Sequence, residues 1–252
     1  MQNIRYFDHA ATTAIDNRVL NEMMPYLTEN FGNASSMYQI GKKNKEAINL
    51  ARQRVANSLK CNPSEIYFTS GGTESDNLII KGIAIANRRR GNHIITTKIE
   101  HPAVLNTCEF LEKQMGFRTT YLNVDSQGRI DLKELERAIN RQTILISVMF
   151  ANNEIGTIQD IENIGRLARR YGVYFHTDAV QAIGNIDIDV KKLGISALSM
   201  SAHKFYGPKG IGAAYISENV NFVQIANGGH QERDKRAGTE NVAGIVGLRQ
   251  GD

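Results

Sequence analysis

The sequence predicts an α/β fold with a mainly parallel sheet that is covered by helices on both faces. From about residue 65 onward, short β-prone runs alternate with helix-like segments, a pattern typical of βαβ units. The run TILISVMF is apolar throughout, as expected for a strand that is buried on both faces of a sheet. With 252 residues, of which 41% are hydrophobic, the chain can bury one substantial core.

The first sixty residues predict two helices joined by a loop. Asp16 can cap a helix over residues 17–29. Its predicted apolar face consists of Leu20, Met23, Met24 and Leu27. The loop FGNASS follows, and a second helix is expected over residues 39–60. Its predicted apolar face consists of Ile40, Ala47, Leu50, Val55 and Leu59.

The β-prone runs occupy the rest of the chain. In order, they are EIYFTS, HIITTK, RTTYLNV, TILISVMF, YFHTDA, ALSMS and GAAYIS. Helices are predicted between most of them. One follows GGTESDN and ends at Arg90, Pro102 opens the next, Asp131 caps a third, and a fourth covers about residues 160–171.

Polar clusters follow five of these runs at their carboxyl ends. The clusters are Gly71-Gly72-Thr73, His101, Asn152-Asn153-Glu154, Asp178 with Gln181, and Ser201 with His203 and Lys204. Ligands of open α/β sheets bind outside the carboxyl ends of the strands. We therefore expect the five loops to form one site.

Asp178 and Lys204 suggest the chemistry of that site, because they follow two successive strands. A lysine can form a Schiff base with an aldehyde, and a carboxylate can keep a pyridine nitrogen protonated. Pyridoxal phosphate requires both partners. The strand-to-helix turn SGGTES suits its phosphate through backbone N–H groups, and Thr73 adds a hydroxyl.

Each residue also has an ordinary structural explanation. Thr73 or Ser75 could cap a helix, and Asp178 could accept backbone hydrogen bonds. Lys204 could lie on the surface, and His101 could bond to the backbone at a helix start. All of these residues follow strands at the same predicted edge of the sheet, and this favours the functional interpretation. The spacings GxxxxGK[ST] and GxGxxG after a strand are both missing, which argues against nucleoside triphosphates and dinucleotides.

The composition favours a soluble cytoplasmic protein. The 30 Lys+Arg and 26 Asp+Glu are scattered apart from Arg88-Arg89-Arg90, which suits a helix end, so we expect no nucleic-acid surface. Cys61 and Cys108 have neither metal-ligand spacing nor disulfide-framework density, and both are expected to be inert. The start MQNIRYFDHAATT is unlike a signal peptide, and no run reaches the ~20 apolar residues of a membrane span.

Matching segments along the whole chain resemble the cysteine desulfurases of the NifS/IscS group, in the aminotransferase class V family. They are YFDHAATT, GNASS, FTSGGTES, IEHPAV, ANNEIGTIQ, FHTDAVQA, SAHKFYGPKG and AGTENVAGIVGL. The resemblance implies the large domain of a fold-type I pyridoxal phosphate-dependent transferase over residues 17–252. Residues 1–16 would belong to a small domain, whose C-terminal part would be largely absent.

The resemblance also implies the roles of individual residues. Lys204 would form the Schiff base, and Asp178 would pair with the pyridine nitrogen. Gln181 would contact the ring hydroxyl, and His101 would stack on the ring and act with Lys204 in catalysis. The phosphate would be held by Gly72, Thr73, Ser201 and His203. Thr239 would reach the phosphate of the neighbouring subunit, which implies a homodimer.

The activity implied by the resemblance is the conversion of L-cysteine to L-alanine. Asn33 and Asn153 would contact the substrate, and Lys204 would move its Cα proton. The sulfur would pass to an enzyme cysteine as a persulfide and then to acceptors such as an Fe–S scaffold or a tRNA-thiolation enzyme. This places the chain in sulfur metabolism and iron–sulfur cluster assembly.

The persulfide cysteine and the carboxylate-binding arginine of the family lie downstream of the segment that matches GTEN. Neither Cys61 nor Cys108 occupies the matching position, so we expect this chain alone not to complete sulfur transfer. Two alternatives stay open. One is another class V activity, such as selenocysteine lysis or transamination. The other is a catalytically silent dimerisation or binding module that keeps the cofactor fold.

Overall fold

A seven-stranded sheet organises the protein, whose computed structural model describes residues 5–248. All the predicted β-prone runs form strands. They are β1 (Ile66–Thr69), β2 (His93–Thr97), β3 (Arg118–Leu122), β4 (Thr143–Ser147), β5 (Tyr174–Asp178), β6 (Ala197–Ser201) and β7 (Gly212–Ile216). Their order across the sheet is β1-β7-β6-β5-β4-β2-β3.

The sheet is mainly parallel, as predicted, and β7 is the exception. It runs antiparallel to both of its neighbours, β1 and β6, while the other pairs are parallel. Because β7 is antiparallel to both β6 and β1, β1 runs in the same direction as β6. The carboxyl ends of β1, β2, β4, β5 and β6 therefore lie at one edge of the sheet.

The helices agree with the predictions over most of the chain. They are α1 (Asn17–Thr28), α2 (Gln39–Leu59), α3 (Gly72–Asn87), α4 (Pro102–Met115), α5 (Leu132–Ala138), α6 (Ile161–Tyr171), α7 (Val190–Leu193) and α8 (Val242–Gly247). Asp16 and Asp131 cap α1 and α5 by accepting backbone N–H groups at 2.7 and 2.8 Å. The short helices α7 and α8 were not predicted.

Apolar clusters cover the sheet on both faces. Leu78 of α3 and Val104 of α4 belong to one cluster, and Val55 of α2 and Ile164 of α6 belong to the other. We call the side covered by α3 and α4 the α3 face. The neighbours Ile94 and Ile95 of β2 belong to opposite clusters, as the two-residue period of a strand requires.

The predicted apolar faces of α1 and α2 were partly wrong. The exposed members are Met24, Leu27, Ile40 and Leu50. The packing of α8 against α1 and α2 explains part of the difference, because it buries Val19 and Met23 together with Ala243. The spacing of apolar residues indicated α1 and α2 correctly, but it could not indicate which side of these helices α8 covers.

A buried ion pair ties the chain beyond β7 to the sheet. The two terminal guanidinium nitrogens of Arg52 contact the carboxylate of Glu232, at 2.7 and 2.6 Å. That carboxylate also accepts the backbone N–H of Phe68 at 2.9 Å, and Arg52 donates to the carbonyl of Ile66 at 2.7 Å. The pair thus joins α2, β1 and the turn Gln231–Asp234.

Residues 5–16 lie against the turn after β6. Thr13 and Asp16 donate their backbone N–H groups to the carbonyls of His203 and Tyr206, at 2.8 and 3.0 Å. The division of the chain at residue 16 stays a prediction. In the part that the structure describes, no helix is both long and apolar enough to cross a membrane.

Candidate active site

A cavity of about 340 Å³ opens at the carboxyl edge of the sheet. Since five strands end there, their loops line it together, as predicted. The predicted site residues in its wall are Gly72, Thr73, His101, Asn153, Asp178, Gln181, Ser201, His203 and Lys204.

Asn33 and Thr239 lie elsewhere. Asn33 is exposed, and its side-chain oxygen accepts the backbone N–H of Ser35 at 2.8 Å. Thr239 lines a separate cavity of about 80 Å³ together with Glu232 and Arg236. The substrate contact of Asn33 and the contact of Thr239 with a neighbouring subunit stay predictions.

Lys204 is partly buried and lines the cavity. It ends a short 3-10 turn after β6, and its Nζ donates to the carbonyl oxygens of Ala10 and, at 2.9 Å, of Ala11. Partial burial lowers the pKa of Lys204, although the charges of Asp8 and Asp178 oppose that shift. A lower pKa gives the amine a larger neutral, nucleophilic fraction.

Asp178 lies at the end of β5 with only 6% of its surface exposed. It accepts the backbone N–H of Val180 at 2.9 Å. Burial raises the pKa of Asp178, and the Val180 N–H, His101 and Lys204 offset only part of that shift. A positively charged ring nitrogen in the cavity would supply the missing charge, so the aspartate fits a pyridinium.

The start of α3 provides a place for a phosphate. The N-cap residue is Gly71, so the capping alternative for Thr73 and Ser75 was wrong. The Ser75 hydroxyl contacts the Thr69 hydroxyl at 2.7 Å, and the Thr69 hydroxyl accepts the backbone N–H of Gly71 at 3.4 Å. A Cβ on Gly72 would lie 2.7 Å from Cγ2 of Val180, so glycine permits this close approach. The helix start thus supplies amides next to the Thr73 and Ser201 hydroxyls in the same wall.

The two histidines of the wall are fixed by neighbouring polar groups. His101 precedes α4, and its Nδ1 accepts the backbone N–H of Ala103 at 3.1 Å, which places the proton of the neutral ring on Nε2. Nδ1 of His203 lies 3.1 Å from the Thr12 hydroxyl. Burial, and then the charges of Lys204 and Lys209, lower the pKa of His203, which favours its neutral form.

Some residues of the wall were not predicted. The N-terminal turn supplies Asp8, Ala10 and Ala11, and Gln181 donates to the Ala10 carbonyl at 2.9 Å. Asp76 of α3 lines the cavity as well. Glu74 lies two residues earlier in the same helix, so the presence of an acid alone gave no signal for Asp76.

The two cysteines lie outside the cavity wall. Burial, the main cause, raises the pKa of both Cys61 and Cys108 to about 12, so both thiols stay protonated at neutral pH. This agrees with the prediction that both are inert.

The family model for aminotransferase class V matches residues 5–251. Among curated relatives, the cysteine desulfurase IscS of Clostridium botulinum strain Hall is 60% identical over 243 residues, which are 96% of this chain and 61% of the relative. The cysteine desulfurase IscS of Methanosarcina thermophila is 61% identical over 96% of this chain and 60% of its own length. The chain thus spans about three fifths of these relatives.

Solved structures agree with this relationship. A structure titled as a NifS-like protein superimposes with a TM-score of 0.94 at 46% identity, covering 96% of this chain and 67% of the other. A second, titled SspA in complex with cysteine, gives a TM-score of 0.94 at 45% identity over 97% of this chain and 71% of the other. This chain belongs to the aminotransferase class V family.

Proposed function

We propose that this chain is the cofactor-binding part of a pyridoxal phosphate-dependent cysteine desulfurase. The observation that carries the proposal is that Asp178 and Lys204, at the ends of the adjacent strands β5 and β6, line one cavity. Members of the family depend on pyridoxal phosphate. Curated relatives named cysteine desulfurase and the solved complex of SspA with cysteine support the choice of substrate.

The wall of the cavity would hold the cofactor through residues of this chain. Asp178 would meet the ring nitrogen, Gln181 the ring hydroxyl and His101 the face of the ring. The phosphate would lie at the helix start with Gly72, Thr73, Ser201 and His203. When bound, pyridoxal phosphate supplies an electron sink for charge that develops on the substrate Cα.

Lys204 would act as the base that moves the Cα proton. A base works best when its pKa is close to the working pH, and partial burial lowers the pKa of Lys204 in that direction. The carbonyls of Ala10 and Ala11 hold the amine on one side of the cavity. Asn153, in the same wall, would contact the substrate.

We propose a cytoplasmic homodimer in which Thr239 meets the cofactor phosphate of the neighbouring subunit and Asn33 contacts substrate. The sulfur would pass to a persulfide cysteine and then to an acceptor, such as an Fe–S scaffold or a tRNA-thiolation enzyme. Protonated Cys61 and Cys108, both outside the cavity, support the view that the accepting thiol is a different group.

The proposal is tested with L-cysteine and the chain loaded with pyridoxal phosphate. Dithiothreitol is added to take the sulfur, which it releases as sulfide while it is oxidised. We expect L-alanine and sulfide in equal amounts, both dependent on dithiothreitol, measured by amino-acid analysis and sulfide colorimetry.

Two outcomes would contradict the proposed activity. A loaded chain whose absorption spectrum does not change on addition of L-cysteine, and that forms no L-alanine with dithiothreitol present, would be a silent binding module. Alanine that forms from L-selenocysteine but not from L-cysteine would indicate a selenocysteine lyase.

A further inference from the structure

A layer of buried polar side chains lies beneath the cavity on the α3 face of the sheet. His176 of β5 is opposite Ser147 of β4 in the strand register, and Asp178 is opposite Ser199 of β6. The His176 ring nitrogens lie 2.9 Å from the Ser147 hydroxyl and 3.0 Å from the Ser199 hydroxyl. Asp76 of α3 completes this group, which we call the buried polar layer.

Asp76 connects the layer to the cavity. It is 1% exposed and lines the cavity with Asp178. Its Oδ1 lies 3.5 Å from Nε2 of His176, beyond a good hydrogen bond, and has no hydrogen-bond partner among the residues that the structure describes. A buried carboxylate oxygen without a partner is costly, whereas a protonated carboxyl is much less so.

The charges around Asp76 do not balance a second carboxylate. The charges of Asp178 and Glu100 act on Asp76, and His176 lies 3.5 Å from it. His101 and Lys204 line the same cavity and act on Asp178. Burial lowers the pKa of His176 to about 3, so its ring is neutral and cannot pair with Asp76 as a cation. Burial, and then the charge of Asp178, raises the pKa of Asp76 well above its ordinary value, and a hydrogen bond from the Ser199 side chain offsets only part of that shift. Glu100 is shifted the same way by burial, to a pKa of about 8.

We propose that Asp76 holds a proton beneath the cavity and so leaves Asp178 as the ionised carboxylate that meets the ring nitrogen of the cofactor. This inference rests on the proposed function, because it assigns Asp178 to pyridoxal phosphate. Asp76 is a positioning residue: it acts through Asp178 by withholding a second negative charge and by presenting a hydrogen-bonding group in the layer.

The affinity of the 252-residue chain for pyridoxal phosphate separates the possibilities. Asp76→Asn keeps a neutral polar group of the same shape, and we expect its dissociation constant to stay within about threefold of the parent. Asp76→Leu removes the polar group, and we expect about tenfold weaker binding and a shifted pH titration of the visible band. Equal weakening by both variants would overturn the proposal, as would no change in either.

A second measurement needs no cofactor. When folding raises the pKa of a carboxyl, the folded chain keeps a proton that the unfolded chain loses. The stability of the parent therefore falls as the pH rises above the ordinary aspartate pKa, and Asp76→Asn removes this loss of stability. We therefore expect the Tm of Asp76→Asn to exceed that of the parent by a margin that grows from pH 5 to pH 8. A Tm below that of the parent at pH 8 would show an ionised Asp76 and overturn the proposal.

Glu74 of the same helix provides the matched control. Burial raises its pKa, but hydrogen bonds from Arg236 and Ser70 outweigh burial and lower it overall. Glu74→Gln should therefore lower the Tm at pH 8, and this loss should shrink as the pH falls. The change in Tm has the opposite sign to that expected for Asp76→Asn.

Infrared spectroscopy of the unmutated chain keeps the inference testable if the variants fail to fold. With ¹³C-labelled aspartate, the loaded chain should keep a protonated aspartate carbonyl band at pH 7, and loss of this band on loading would overturn the inference. If the parent binds no pyridoxal phosphate, the proposed function fails, but the Tm comparison still decides the protonation state of Asp76.

Discussion

The Lys204→Ala chain is expected to lose the visible band that distinguishes the loaded parent from free pyridoxal phosphate. That band requires a covalent bond between the cofactor aldehyde and an amine, and Lys204 is the lysine of the cavity wall. Formation of L-alanine from L-cysteine should fall to background in the same variant. Absorption spectra and amino-acid analysis give the two results.

Lys209 supplies the matched control for this prediction. It lies in the same Gly/Pro-rich turn but is exposed and outside the cavity wall, so Lys209→Ala should retain the visible band. If Lys204→Ala keeps the band, or if Lys209→Ala loses it, the assignment of Lys204 is wrong.

Arg52→Met is expected to lower the free energy of unfolding by about 3–5 kcal/mol, because it leaves the Glu232 carboxylate buried without its cation. The side chains of the pair are 9% and 3% exposed. A loss of this size is a large part of the ~5–15 kcal/mol that stabilises a typical domain. Urea unfolding followed by circular dichroism measures it.

Two further variants distinguish the effect of breaking the buried ion pair from the effect of removing any arginine. Arg54→Met removes an exposed cation that contacts Glu22 at 3.5 Å, and should cost less than about 1 kcal/mol. The double variant Arg52→Met with Glu232→Met should be more stable than Arg52→Met alone, because it leaves no unpaired buried charge. A loss below about 1 kcal/mol in Arg52→Met would contradict a buried, desolvated pair.

Much of this fold could be predicted from local patterns. Continuous apolar runs indicated the strands, and Asp16, Pro102 and Asp131 marked helix starts correctly because capping depends on neighbouring residues alone. The direction of β7 could not be predicted in this way, since it depends on which strands it joins rather than on its own residues.

The cavity wall was predictable where a polar residue interrupts an apolar run at a strand end, as at Asp178 and Ser201. Asp76 was missed because an acid within a helix normally faces solvent, and the packing of α3 on the sheet is a tertiary contact that buries it. The contribution of Ala10 could not be predicted for a different reason. Ala10 acts through its backbone carbonyl, which any residue possesses, and the approach of residues 5–16 to Lys204 is a tertiary contact.

Lys204 and Asp178 together form the proposed pyridoxal phosphate site. Reduction of the loaded chain with borohydride, followed by peptide mass mapping, tests this assignment. We predict one pyridoxyl group per chain, attached to the peptide that contains Lys204, and less labelling in Asp178→Ala at low cofactor concentration. Label on another lysine, or no label on the unmutated chain, would contradict the assignment.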